Sequence, residues 1–587
     1  MMFAASEARE KETLKQGVDW LGLFLLYLFF WYFSGVLQTI LWPTAGIHGF
    51  RGAFFMSFIW LAPVLLFPRW TRQIAAVIGI ILWIPSLIAL GYWGIYGNEF
   101  SQSVIFIIFE TGTEEAGEYL SQYASFSLAL GLILYSLGAW LLWKLLRPVY
   151  LPRPYAVSVA ALVLLANFGE PYVACFTQNL DSGSATRKLI KRMEPASPWQ
   201  FVSGYLQYQR QINRVNNLLS SNVSLPPLQN LVDASGDEPR TLVLVIGEST
   251  TGKRMSLYGY PRKTTPLMDE LRDKGELLAF SDVIASRPYT IEALQHALSF
   301  AHPEEPGRLL TEPNIMNLMQ QAGYKTFWLT NHQTMTSRNV LLTFFSRQAD
   351  EARYLNQGRI QNATPPDAVV FEPFLEMLAD PAPKKFIVVH LMGTHSKYAK
   401  RYPKEYEQFT GREHVPEVLS PSLAEVYNSY DNAVLYNDFV IASLINLVGK
   451  NEAGKSLLLY FADHGEEVYH APPHQMLGRD EGSPTVDMFA IPFVLWMSPD
   501  LKKSLPFDPT PFTERKYSNA HFIHTWSDLA GLSYDRFQPE LSLVNPNFKT
   551  HKRWIGDPEA KTSLRDFDEI LRTAIGPADG NEEPTQK

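Results

Sequence analysis

The sequence predicts a protein in two parts. Residues 1–170 form five membrane-spanning helices, and an α/β domain on a mostly parallel sheet follows. Three observations carry this. The first 170 residues hold five apolar runs, more than a soluble core of that length needs. From residue 240 onward, short β-branched runs alternate with helical patterns, as in βαβ units. Several of those short runs end in the same way, on a carboxylate, a threonine or a histidine.

The apolar runs are Val18–Trp42, Ala53–Phe67, Ile74–Tyr96, Phe126–Leu146 and Tyr155–Phe168. The first is too long for a signal-peptide core and no small-residue cleavage site follows it, so it reads as a retained anchor. Trp42, Trp70, Trp93, Trp140 and Trp143 crowd the span edges, as in an interfacial belt. Arg69 and Arg72 lie between spans two and three, and Lys144, Arg147 and Arg153 between four and five. Gly97–Ser125, between three and four, has no Lys or Arg and carries Glu99, Glu110, Glu114, Glu115 and Glu118. The positive-inside rule then places the N-terminus in the cytoplasm and everything after residue 170 outside. The apolar patch Ser103–Phe109 reads as interfacial.

Residues 171–239 read as a linker containing an amphipathic helix, Trp199–Leu219, and ending at Pro226-Pro227 and the polar Asp233–Pro239. The catalytic domain is expected over 240–575, with a disordered polar tail at 576–587. A net charge of -8 and the lack of a basic stripe argue against nucleic acid as a partner. Cys175 is the only cysteine, which rules out an internal disulfide.

In the second part the expected strands end on functional groups. Leu242–Ile246 is apolar throughout, as in a strand buried on both faces, and runs into Gly247-Glu248. Phe280–Ala285 leads to Ser286–Thr290, and a helix over Ile291–Phe300 follows. Lys325–Thr330 ends in Asn331-His332, Phe386–Leu391 in Gly393-Thr394-His395, and Leu457–Ala462 in Asp463-His464. Thr265-Pro266 opens a capped helix, and Ser422–Lys450 has helical spacing throughout. Phe489–Trp496 is expected at a sheet edge because of Pro492.

Ligands of open α/β sheets gather beyond the carboxyl ends of the strands. Carboxylates and imidazole there suit zinc, and three protein ligands with one open position describe a catalytic site. Asp463 and His464 are adjacent, so both reach one point only past the strand end, where Gly465 eases the turn. A hydroxyl beside such a metal loses its proton more easily, which makes Thr290 the candidate nucleophile. Its place near a helix N-terminus also favours an incoming phosphate.

These residues carry a resemblance. Gly247-Glu248-Ser249, Tyr258-Gly259-Tyr260-Pro261-Arg262, Thr264-Thr265-Pro266, Thr290, the Gly-Thr-His395 turn and Asp463-His464-Gly465-Glu466 are similar to the membrane phosphoethanolamine transferases. That family belongs to the alkaline phosphatase/sulfatase superfamily. The runs Arg254–Pro261 and Ser286–Glu292 resemble most the branch that modifies the heptose of the lipopolysaccharide core. The resemblance covers nearly the whole chain and implies a sulfatase/alkaline-phosphatase-like catalytic domain in the periplasm, anchored in a bacterial inner membrane.

It also implies a Zn2+ held by Glu248, Thr290, Asp463 and His464, and leaves room for a second ion. Thr290 would attack phosphatidylethanolamine and pass phosphoethanolamine to lipopolysaccharide or another envelope glycan. His395, with His474 preferred over His470, would line the substrate site, alongside Asn331. Two departures are visible. Many relatives have disulfides that this chain cannot form, and Gln333–Asn339 lacks the pocket lysine of some relatives, offering only Arg338. Two other readings compete: a glycerol-phosphate transferase or phosphodiesterase of the same fold, and a non-catalytic membrane scaffold. No Cys or Ser stands in a Cys/Ser-x-Pro-x-Arg context, which argues against sulfatase activity.

Overall fold

The computed structural model describes residues 18–45, 47–96, 125–169, 195–206, 227–333, 343–356, 365–450, 454–558 and 564–575, with isolated positions between 108 and 213. Most of the patch 103–109 and of the acidic segment 97–125, most of the later part of the linker helix and the tail from 576 lie outside them. The chain forms two compact units, Met1–Gln211 and Ile212–Lys587.

In the first unit, helices span Trp20–Ala45, Ile47–Ser57 continuing through Leu66, Thr71–Tyr96, Phe126–Leu145 and Arg153–Leu164. The last extends as a π-turn to Gly169 and is shorter than the other four. Trp20, Leu21, Val77, Ile80, Phe126 and Ile133 point outward, a surface that only lipid tolerates at this density. Between the helices, polar groups find partners: the Tyr135 hydroxyl donates to Ser86 Oγ at 2.8 Å, and the Tyr32 hydroxyl to the Tyr135 carbonyl at 2.8 Å. At one end Arg147 pairs with Asp19 at 2.7 Å, and Arg72 donates to the carbonyls of Lys144 and Leu146.

The second unit is built on a seven-stranded sheet. Its strands are β1 (Arg240–Gly247), β2 (Leu277–Ala279), β3 (Lys325–Gln333), β4 (Glu351–Asn356), β5 (Lys384–His390), β6 (Lys455–Ala462) and β7 (Phe493–Met497). Their order across the sheet is β2-β7-β6-β1-β5-β3-β4. Pairing is parallel from β6 to β4, and β7 alone is reversed. β1 sits at the centre with every residue buried, which is why its run Leu242–Ile246 is apolar rather than alternating.

Two expectations change. β7 lies second from the edge, not at it, because Pro492 falls one residue before the strand and removes no ladder hydrogen bond. The strand expected over Phe280–Ala285 shrinks to Val283–Ile284, which pairs with Tyr517–Ser518, and the strand that joins the main sheet lies just before it, at Leu277–Ala279. The 30-residue helix Pro421–Lys450 is apolar enough to cross a membrane, yet it packs on β6 with Asp431, Asn432, Asn437 and Asp438 buried. Thr265 stands at the start of helix Pro266–Asp273 as expected, but its hydroxyl accepts from Leu257 N. The free amides of Leu267 and Met268 are capped instead by Asp438 of the long helix, both at 2.9 Å.

Candidate metal and phosphoryl-transfer site

The parallel strands β1, β3, β5 and β6 point their carboxyl ends the same way, so the segments after them meet in one crevice. After β1, Ser249 adopts a left-handed φ of +57°, a conformation a serine keeps only when its surroundings enforce it. Its carbonyl accepts from the Tyr430 hydroxyl and from Thr394 Oγ1, each at 2.8 Å, and its N–H donates to Asp463 Oδ1 at 3.0 Å. After β5, Gly393 has a φ of +50°, and a Cβ there would lie 2.7 Å from the Glu248 carbonyl oxygen. After β6, the Asp463-His464 turn runs so close to Asp487 that a Cβ on Gly465 would sit 2.0 Å from its carbonyl oxygen. Gly465 is therefore required for space; its φ is not among the positive values.

These turns bring Glu248, Thr290, Asp463 and His464 together from segments more than two hundred residues apart. Thr290 opens the helix Thr290–Ala297, with Tyr289 in the N-cap position. Its hydroxyl donates to Glu248 Oε2 at 3.1 Å and lies 3.3 Å from His464 Nε2. His464 Nε2 is also 3.3 Å from both Glu248 Oε1 and Asp463 Oδ2. His464 Nδ1 hydrogen-bonds the Gly465 carbonyl at 2.9 Å, which puts the proton on Nδ1 and leaves the Nε2 lone pair facing the cluster.

The donor set fits a tetrahedral divalent ion. Zinc bonds of about 2.0–2.1 Å place neighbouring ligand atoms about 3.3 Å apart, and the spacings here are 3.1–3.3 Å. Asp463 Oδ2 is buried with no hydrogen-bond donor, a cost that a cation removes. The charges point the same way. Burial raises the Glu248 pKa, but hydrogen bonding and charge from His464, with His395 and His332, outweigh it and hold the carboxyl well below its usual range. Burial and the Glu248 charge together push Asp463 well above its own. Two buried carboxylates this close stay ionised together only with a cation between them.

A second set, Glu248, His332 and His390, also clusters. It is poorly suited to an ion. The two imidazoles stack at 4.0 Å with 19° between their planes, so their in-plane lone pairs share no focus. His332 Nε2 is engaged with the Leu391 carbonyl at 2.8 Å and lies 3.7 Å from Glu248 Oε2. The pair supports Glu248 from behind.

The remaining predicted residues take distinct places. His395 follows the Gly393 turn, its Nδ1 3.3 Å from Ser396 Oγ. Burial pushes its pKa down to about 3, against the pull of Glu248 and with the help of Arg401 and Arg479, so its ring is neutral near pH 7. Asn331 is buried and donates to Asp367 Oδ1 at 2.9 Å and to the Pro365 carbonyl. Asp367 in turn accepts from Met392 N and Gly393 N. His470 and His474 lie in the loop joining the short antiparallel strands Glu467–Val468 and Leu477–Gly478. His470 Nδ1 meets Asp487 at 2.7 Å, and His474 Nδ1 the Tyr469 carbonyl at 2.9 Å.

Sequence reasoning missed three residues. Tyr430 pins Ser249 and accepts from Thr251 N. Asp367 holds the Gly393 turn. Arg479 lies against His464. All depend on which turns face each other, and nothing in their spacing announces them.

Residues 240–532 match the Sulfatase family. The phosphoethanolamine transferase EptC of Escherichia coli (strain K12) is 52% identical over 558 residues, spanning 94% of this chain and 96% of that protein. A crystal structure of the C-terminal periplasmic domain of EcEptC in complex with Zn is 56% identical, with a TM-score of 0.58, covering 59% of this chain and 98% of that one. The integral membrane protein lipooligosaccharide phosphoethanolamine transferase A (EptA) of Neisseria meningitidis shares the fold at 21% identity, with a TM-score of 0.62 over 89% of this chain and 97% of that one.

A sulfatase-type domain in a chain that also carries apolar helices of membrane length defines the class: a metal-dependent membrane transferase built on the sulfatase fold. Within that class the chain belongs to the phosphoethanolamine transferases, as a membrane protein with a C-terminal periplasmic domain.

Proposed function

We propose that this enzyme moves phosphoethanolamine from phosphatidylethanolamine to lipopolysaccharide, on core heptose or lipid A, through a covalent adduct on Thr290. The observation that carries it is the placement of the Thr290 hydroxyl 3.1 Å from Glu248 and 3.3 Å from His464, at the start of a helix and beside the orphaned Asp463 oxygen. Relatives sharing half its residues are phosphoethanolamine transferases, which favours this chemistry over glycerol-phosphate transfer or an inert scaffold.

Glu248, Thr290, Asp463 and His464 would hold one Zn2+; a second ion is not required by the geometry. Zinc bound there supplies a lowered hydroxyl pKa and stabilisation of the negative charge that develops on phosphorus. Thr290 loses its proton, and its oxygen forms a bond to phosphorus as the bond to the diacylglycerol oxygen breaks; that oxygen leaves with a proton. An acceptor hydroxyl then attacks the same phosphorus, gives up its proton and displaces Thr290, whose oxygen is reprotonated. The free amides at the start of helix Thr290–Ala297 would favour the phosphoryl oxygens. His395, neutral near pH 7, would offer a hydrogen bond to the phosphodiester rather than a proton. His470 and His474, on the hairpin loop, would line the substrate site, and Asn331 would support it through Asp367.

The N-terminus is assigned to the cytoplasm on the loop charges, with 171–239 as the periplasmic linker to a catalytic domain at 240–575. The test is mass spectrometry of lipopolysaccharide from cells that carry the wild-type protein, Thr290→Ala or none. Loss of a phosphoethanolamine group in both deficient strains is expected. An unchanged lipopolysaccharide, or loss of a glycerophosphate group instead, would overturn the proposal.

A further inference from the structure

One cation in the crevice has no part in the chemistry so far. The hairpin Glu467–Val468 with Leu477–Gly478 pairs Gly478 with Glu467, and the next pair in that register is Arg479 with Glu466. The chain thus leaves the metal ligands at His464 and returns to them at Arg479. Gly478, at a φ of +87°, supports that return.

Arg479 Nη1 lies 2.5 Å from His464 Nε2, the same nitrogen that has Thr290 Oγ1 at 3.3 Å, and 3.9 Å from Glu248 Oε1. Its Nε is 3.6 Å from Glu466 Oε2. Glu466 is itself positioned, accepting from the Tyr398 hydroxyl at 3.1 Å. The Arg479 side chain is 22% exposed whereas Glu248 and His464 are sealed, so the guanidinium stands on the open side of the ligand cluster.

On the reading of this site as a phosphoryl-transfer centre, we propose that Arg479 is a catalytic residue that clamps the non-bridging oxygens of the phosphodiester while Thr290 attacks. His464 Nε2 has one lone pair. Once that pair serves a cation, Nη1 needs another acceptor, and Glu466 and the hairpin keep the guanidinium within reach of Thr290. The anion that enters this space is the phosphoryl group, and a planar guanidinium matches two phosphate oxygens with paired hydrogen bonds. The five donors of arginine then oppose charge that grows as the new bond forms. Arg287 does not compete for this role, because Glu481 holds it at 2.6 Å with both side chains buried.

The test uses the full-length enzyme in detergent, as wild type, Arg479→Ala and Arg479→Lys. Three quantities are read: zinc content by mass spectrometry, O-phosphoethanolamine binding by calorimetry, and the rate of adduct formation on Thr290 from fluorescent phosphatidylethanolamine. Arg479→Ala is expected to keep the wild-type zinc content, bind O-phosphoethanolamine at least tenfold more weakly and form adduct about 100- to 1000-fold more slowly. Arg479→Lys recovers part of that rate, as a point charge without the fork, and free guanidinium added to Arg479→Ala restores more of it. Adduct formation within threefold of wild type in Arg479→Ala overturns the clamp. So does zinc loss in step with activity, or a loss in Arg479→Ala that neither lysine nor guanidinium rescues. If wild type forms no adduct, the covalent reading falls and takes this inference with it; an adduct in wild type separates the two failures.

Discussion

Gly393→Ala is the most direct probe of how the fold holds the first carboxylate. Gly393 occupies the turn after β5 at a φ of +50°, where a side chain costs about 1–2 kcal/mol. The new methyl would stand 2.7 Å from the Glu248 carbonyl oxygen, 2.8 Å from its nitrogen and 3.3 Å from its Cα. Those atoms are backbone of a buried strand end and cannot rotate aside. Carbon contacts are comfortable at about 3.5 Å or more, so the two turns must part by roughly half an ångström or more. Overpacking of this kind costs about 1–3 kcal/mol, and with the backbone strain the total is about 2–5 kcal/mol. Parting the turns also stretches the Thr394 N–H bond to the Glu248 carbonyl, now 3.0 Å, and moves Glu248 relative to Thr290. Zinc content, melting temperature and phosphoethanolamine transfer should be measured on one preparation. At about 2–4 °C per kcal/mol for a domain of this scale or somewhat smaller, the melting point should fall by about 4–20 °C. Zinc retention and transfer should drop with it. A variant that melts within 2 °C of wild type (about 1 kcal/mol or less) with full zinc and activity would show that the turns are not in contact as described.

Asp431→Asn tests the buried charge cluster beneath Ser249. Asp431 pairs with Arg254 and Arg262, both at 2.7 Å and all three buried, so its loss strands two cations and should cost about 3–5 kcal/mol in chemical denaturation; a loss under 1 kcal/mol would contradict this. Acid sensitivity is expected from a different group of histidines. Burial, then Arg287 and His302, hold His296 down to about 3, and burial, then His302 and Arg308, do the same for His524. Both are neutral in the folded chain, whereas the unfolded chain protonates them below about 6.5. Their contribution is therefore intact above about pH 6.5 and is lost as the pH falls towards 3, at about 1.4 kcal/mol per group per pH unit. His524→Gln should flatten the slope of stability against pH between 6 and 4 by that amount relative to wild type; parallel slopes would disprove it.

What the amino-acid order determined by itself was everything with a local cause. Apolar runs of membrane length announce helices, because no water satisfies a backbone in lipid. The apolar run Leu242–Ile246 announces a central parallel strand, and chemistry-bearing residues after strands announce a crevice. That Glu248, Thr290, Asp463 and His464 would meet was legible for that reason, with the resemblance adding the shared role proposed for them. Tertiary structure alone decided what faces what. The capping of Leu267 and Met268 by Asp438, the bracing of Ser249 by Tyr430, the support of Gly393 by Asn331 through Asp367, and the return of Arg479 to His464 all join segments with no common period. Such contacts are selected by the packing of whole layers, where a turn keeps its conformation only because distant side chains leave it no other. Pro492 makes the same point from the other side: one residue of register placed it outside the strand it was expected to push to the edge.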